Sequence, residues 1–219
     1  STAGEDIKFS LNQKDWHEID QLTDEANDLK TDGEGQLTIW VKGEKAGANV
    51  SLTAKAGEVS GISGKITIVA SELNKVTVVP SGDKVPLAAG EVQAVTFTVL
   101  DQFDNGLSDV KILLEAELGD LDQSTIKFSL SKDGDWKKAL TDLTKDAEFT
   151  SDVNGQITIY VKGEKAGDFV SIKGTVSEPL TVKSSTIMIV PSSISLIKFI
   201  NQPQDTEALD VIKPIQGNS

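Results

Sequence analysis

Gly35-Gln-Leu-Thr-Ile-Trp-Val-Lys-Gly-Glu-Lys-Ala-Gly47 returns at Gly155 to Gly167 as Gly-Gln-Ile-Thr-Ile-Tyr-Val-Lys-Gly-Glu-Lys-Ala-Gly. Only Leu37/Ile157 and Trp40/Tyr160 differ, and the spacing of 120 residues from Gly35 to Gly155 marks an internal repeat. The likeness extends backwards, with Ile7 to Leu11 against Ile126 to Leu130 and Asp15-Trp16 against Asp135-Trp136. It also extends forwards, with Ile66 to Val69 against Ile187 to Val190. Each segment reads as a β-strand: apolar and polar residues alternate, or β-branched residues run together, between turns such as Asp104-Asn105-Gly106 and Asp152-Val-Asn-Gly155.

The period therefore predicts strands over 76–79, 94–100, 110–114, 126–130, 156–161, 169–173 and 186–190. Strands at such spacing indicate an all-β chain of tandem antiparallel sandwich modules. The expected core of the complete module is Val76, Phe97, Val99, Ile112, Leu114, Phe128, Ile157, Ile159, Val161, Val170 and Ile172. One short helical insertion is expected where Trp136, Leu140 and Leu143 fall at helical spacing, with a counterpart near Trp16 and Ile19. Trp16 and Trp136 are expected to plug the core.

The repeat frame divides the chain into residues 1–71, the second half of a module; 72–190, a complete module; and 191–219, the start of a further module or a strand-donating tail. Two explanations stand. The chain is a piece of a longer tandem protein, or its first half-module is completed by the tail of another copy, through Ile194, Leu196, Ile197 and Phe199.

Composition narrows the function classes. A net charge of −13 over 219 residues repels the nucleic acid backbone and anionic membrane surfaces. Cysteine is absent and His17 is the sole histidine, with Lys137 as its repeat counterpart. Neither a nucleophile triad nor a histidine-based zinc site can be built from such a set. No enzyme is expected.

Strand, then Leu100-Asp-Gln-Phe-Asp-Asn-Gly-Leu107, then a strand near Val110, then Thr150-Ser-Asp-Val-Asn-Gly-Gln-Ile-Thr-Ile159, then Lys-Ala-Gly and a closing strand, resembles the bacterial immunoglobulin-like repeats. Those occur in surface-layer proteins and in invasin- and intimin-type adhesins. The insertion around Trp136 departs from that pattern. The resemblance implies an immunoglobulin-like fold and an extracellular, non-catalytic role on a bacterial cell surface. Three functions follow: a lattice or fibre component of a surface layer, an adhesin stalk or binding module, or a subunit that self-assembles by strand complementation.

Two sets of residues are candidate sites. Asp101, Asp104, Asn105, Asp120 and Asp122, with Asp133 and Asp135 nearby, could supply oxygen ligands to calcium, the one cofactor the acids suggest. The same residues serve turn geometry and solubility equally well. Trp40 and Tyr160 lie out of phase with the core set, facing neighbouring modules, a cell-wall or host glycan, or simply shielding the sheet.

Overall fold

A computed structural model describes residues 7–22, 29–119, 125–177 and 179–193. Residues 7–71 carry β1 (Ile7–Ser10), a single helical turn α1 (Ile19–Leu22), β2 (Trp40–Gly43), β3 (Asn49–Val50), β4 (Thr53–Ala56), β5 (Val59–Ile62) and β6 (Ile66–Thr67). Residues 72–190 carry β7 (Lys75–Val79), β8 (Lys84–Ala88), β9 (Val92–Leu100), β10 (Lys111–Leu118), β11 (Lys127–Ser129), β12 (Glu148–Thr150), β13 (Gln156–Lys162), β14 (Phe169–Ser177), β15 (Leu180–Lys183) and β16 (Thr186–Val190). The described chain is all-β apart from short helical turns.

Alternation builds the second unit. In β9 Val95, Phe97 and Val99 turn inward, and in β13 Ile157, Ile159 and Val161 do the same. Their register sets Phe97 opposite Ile157 and Val95 opposite Ile159, so both strands present one continuous apolar face. On the other face the Thr96 and Thr158 hydroxyls share a hydrogen bond of 2.9 Å. These strands lie in a four-stranded sheet ordered β11-β13-β9-β7.

The second sheet is ordered β12-β10-β14-β16-β8, with β15 paired to β14. Both sheets feed one core that joins Phe97 and Phe128 to Ile112, Leu114, Ile172 and Ile187. Gly174 on β14 shows how closely they approach, since a Cβ there would lie 2.8 Å from the Phe97 ring. All eleven residues expected in the core are buried.

Three expectations need correction. Among the described residues the ladders are antiparallel except one: β16 runs parallel to β8, from Thr186 opposite Lys84 to Val190 opposite Ala88. The chain passes from β7 in one sheet to β8 at the edge of the other, and that crossing sets the direction in which β8 meets the closing strand. The expected helix near Trp136 is instead two short 3-10 turns, Leu140–Asp142 and Lys145–Ala147, in which Leu140 is buried. Trp136 and Trp16 are not core plugs. Each is half-buried beneath a lysine, Lys162 at 5.9 Å and Lys42 at 4.8 Å from the ring centres.

The first unit repeats parts of the second in the same register. Phe9 opposes Val41 as Phe128 opposes Val161, and Val50 opposes Ile66 as Val170 opposes Ile187. Even the Phe9–His17 backbone bridge recurs as Phe128–Lys137. Among the described residues, however, β2 pairs only with β1, whereas β13 is flanked on both sides. Ile39 and Val41 are accordingly only half-buried where Ile159 and Val161 are fully covered, and the first unit's core is the small group Ile7, Phe9 and Leu22 with its neighbours.

Candidate functional site: the joint between the repeated units

The turn after β9 has an aspartate at its first position. Asp101 is fully buried, and each of its oxygens accepts two hydrogen bonds. Oδ1 takes the N–H groups of Phe103 at 2.8 Å and Asn105 at 2.9 Å. Oδ2 takes the Asn105 side-chain amide and the Ser71 N–H, both at 2.9 Å. Burial alone would push this carboxyl up, but the Asn105 amide and the N–H groups of Ser71, Asn105 and Phe103 outweigh it and hold the pKa at about 2. Asp101 thus stays ionised and ties the turn to Ser71, where the two units meet.

A second turn of the same module supports this one from beneath. Asp152 Oδ1 accepts from Asn154 N–H and Gln156 N–H, which folds residues 152–156 into a tight turn. Gly106 packs so closely on it that a Cβ would stand 2.0 Å from the Asn154 carbonyl oxygen. Gly155, at φ +75°, brings its carbonyl to the Val99 N–H at 2.8 Å. Both glycines are needed for Asn105 to be held where it is.

Asn105 then reaches across to the first unit. Its side-chain Nδ2 donates to the Glu44 carbonyl at 2.7 Å, and its Oδ1 accepts the Ala46 N–H at 2.9 Å. One amide group therefore reads a carbonyl and an N–H two residues apart on the Glu44–Ala46 loop, which lies within the repeated sequence. Because Asn105 Nδ2 also donates to buried Asp101, the amide cannot rotate freely, and less ordering cost falls on the joint.

The sequence-derived candidates are placed as follows. Asp101 and Asn105 come together, but every Asp101 lone pair already meets an N–H donor, and Asp104 forms an ion pair with Lys75. These three residues do not fit a calcium site as arranged. Asp120 and Asp122 lie outside the described residues, as do Ile194, Leu196, Ile197 and Phe199. Among the described residues no three His, Cys, Asp or Glu side chains converge as metal ligands. Trp40, 43 % exposed, and half-buried Tyr160 face away from the core side of their strands. His17 is exposed and, among the described residues, joins Phe9 through backbone hydrogen bonds alone. Sequence reasoning missed the joint itself; its signal was a surface loop, Gly43 to Gly47, kept unchanged at Gly163 to Gly167.

No protein-family model matches the chain, and neither does any curated protein. Similar solved structures include domains 4 and 5 of the S-layer protein SbsC, at 19% identity and TM-score 0.33, covering 69% of this chain and 63% of that one. The chain thus spans less than two thirds of that structure. The Yersinia pseudotuberculosis adhesin InvE is similar at 15% identity and TM-score 0.38 over 69% of this chain and 42% of that one. A glycosyl hydrolase family 2 member from Bacteroides cellulosilyticus DSM 14838 is similar at 15% identity and TM-score 0.38, over 84% of this chain and 23% of that one. Likeness at this level assigns no role, and the functional reading rests on the chain's own geometry.

Proposed function

We propose that this chain is a non-catalytic structural segment of a bacterial cell-surface protein, built of immunoglobulin-like β-sandwich modules in tandem, and that it belongs to a surface-layer lattice or fibre. The observation that carries the reading is the Asp101–Asn105 turn, which locks one repeated unit onto the loop of the one before it. A module that exists to hold distance needs a joint of fixed geometry, and this one is made from backbone groups that a repeat supplies automatically. The charge of −13 and the lack of cysteine suit an extracellular repeat that relies on core packing. Trp40 and Tyr160 are the side chains we assign to contacts with neighbouring copies.

Small-angle scattering on the purified chain, with and without Asn105→Ala, tests the reading. A narrow distribution of distances that broadens in the variant supports it. Identical profiles, or saturable binding of a glycan or host protein by the isolated chain, would move the assignment to a flexible tether or to an adhesin module.

A further inference from the structure

The loop that Asn105 grips exists twice. Gly43-Glu-Lys-Ala-Gly47 and Gly163-Glu-Lys-Ala-Gly167 are identical in sequence and are folded by the same three backbone hydrogen bonds. Gly47 N–H donates to Ile68 O at 2.9 Å and Gly167 N–H to Ile189 O at 2.9 Å. Ala48 N–H donates to Lys45 O as Asp168 N–H does to Lys165 O, and Ile68 N–H donates to Ala48 O as Ile189 N–H does to Asp168 O. Both loops turn at a left-handed glycine, Gly47 at φ +85° and Gly167 at φ +98°.

They differ in what meets them. In the first copy the Glu44 carbonyl and Ala46 N–H are taken by Asn105, and Ala46 is half-buried. In the second copy the Glu164 carbonyl and Ala166 N–H make no hydrogen bond among the described residues, and Ala166 is exposed. The open loop is nevertheless held in place. Thr125 Oγ1 accepts the N–H groups of Glu164 at 2.9 Å and Lys165 at 2.8 Å, and Asp168 fixes Thr125 through its own N–H and hydroxyl, both at 2.7 Å. The remaining donor and acceptor are thus left in the same loop conformation in which the first copy presents them to Asn105.

The loop also sits at the far end of the module from the turn. The register of β9 and β13 puts Gln156 opposite Thr98, beside the turn, and Lys162 opposite Val92, beside the loop. With about 3.3 Å per residue, the two ends are separated by on the order of 20 Å.

We propose that the Glu164–Ala166 loop is the docking site for the Asp101–Asn105 turn of a further copy of the complete module placed after it in the same chain. This rests on the tandem reading above and names the partner of the open end. The incoming asparagine donates to the Glu164 carbonyl and accepts from Ala166 N–H, and the incoming aspartate accepts from Ser192 N–H, the repeat counterpart of Ser71. Ser192 N–H makes no hydrogen bond among the described residues. Every joint in such an array is then the same joint.

Amide hydrogen exchange followed by NMR tests this, on the natural chain and on a chain carrying a second copy of residues 72–190 after Ser192. In the natural chain Ala46 should be protected and Ala166 should exchange freely. In the extended chain Ala166 should slow by about tenfold or more, and alanine at the added copy's Asn105 position should restore fast exchange. An Ala166 amide as protected as Ala46 in the natural chain overturns the proposal, whether or not the added copy folds. So does an Ala166 amide that stays fast while the added copy's core amides are protected. A fast Ala46 amide in the natural chain instead defeats the joint reading itself.

Discussion

Replacing Asp101 by alanine should be costly out of proportion to its place in a surface turn. The side chain is fully buried and accepts four N–H groups at 2.8 to 2.9 Å. Its pKa sits at about 2 against an ordinary 3.8. At about 1.4 kcal/mol per unit, the fold favours the ionised over the protonated carboxyl by about 2 kcal/mol. Alanine removes the acceptor altogether and strands its donors, although Phe103, on the exposed part of the turn, can recover water. A loss of about 2 to 4 kcal/mol follows. For a unit of this size that is a fall in Tm of roughly 6 to 15 °C, read by differential scanning calorimetry.

The same group gives a signed pH dependence. Its folded pKa lies below its unfolded one, so its contribution is complete above about pH 4 and is lost as pH falls towards 2. Wild type should therefore lose stability across that window more steeply than Asp101→Ala does. A Tm unchanged within about 2 °C in the variant, or parallel acid profiles, would show that the carboxylate does not hold the turn.

Asn105→Ala should leave the core of residues 72–190 intact while the Ala46 amide loses protection in hydrogen exchange; retained protection would mean the loop is held by something else. Phe97→Ala or Phe128→Ala should cost about 3 to 5 kcal/mol in denaturant unfolding, since both rings are fully buried. Gly106→Val should destabilise the 101–106 turn and its joint together, because its Cβ would collide with the Asn154 carbonyl, and a wild-type Tm would count against that packing. His17→Ala should change neither Tm nor any binding or assembly readout, as among the described residues only the His17 backbone is engaged.

The strands with clean alternation were legible because a two-residue period with β-branched residues has one reading when one face is buried. In the complete module three strands were not. Lys84–Ala88 carries Pro86, which argues against a strand unless it lies at a sheet edge, where β8 does lie. Glu148–Thr150 is three residues long, and Leu180–Lys183 four, too short for periodicity to register. The Trp136 pattern misled because of its three apolar residues only Leu140 lies within a 3-10 turn, with Leu143 at that turn's C-terminal cap, and the aromatic ring found a lysine instead of the core. Asp101 and Asn105 stood out from sequence, but for a cation. A carboxylate in a turn satisfies N–H donors as readily as a metal, and the Glu44 and Ala46 partners lie 61 and 59 residues away, where no local pattern connects them.

The asymmetry of that contact governs how any array of these modules behaves. A turn meets a loop, never a turn another turn, so the interface is heterologous and has no two-fold axis to close it. The contact has a direction: the turn of residues 101–105 is taken by the Glu44–Ala46 loop, and among the described residues the Glu164–Ala166 loop is left open. In the proposed array successive units are covalently linked, so its length would be fixed by the gene and not by protein concentration, and dilution could not shorten it. An error in one asparagine loosens a single link and leaves the rest of the array in register.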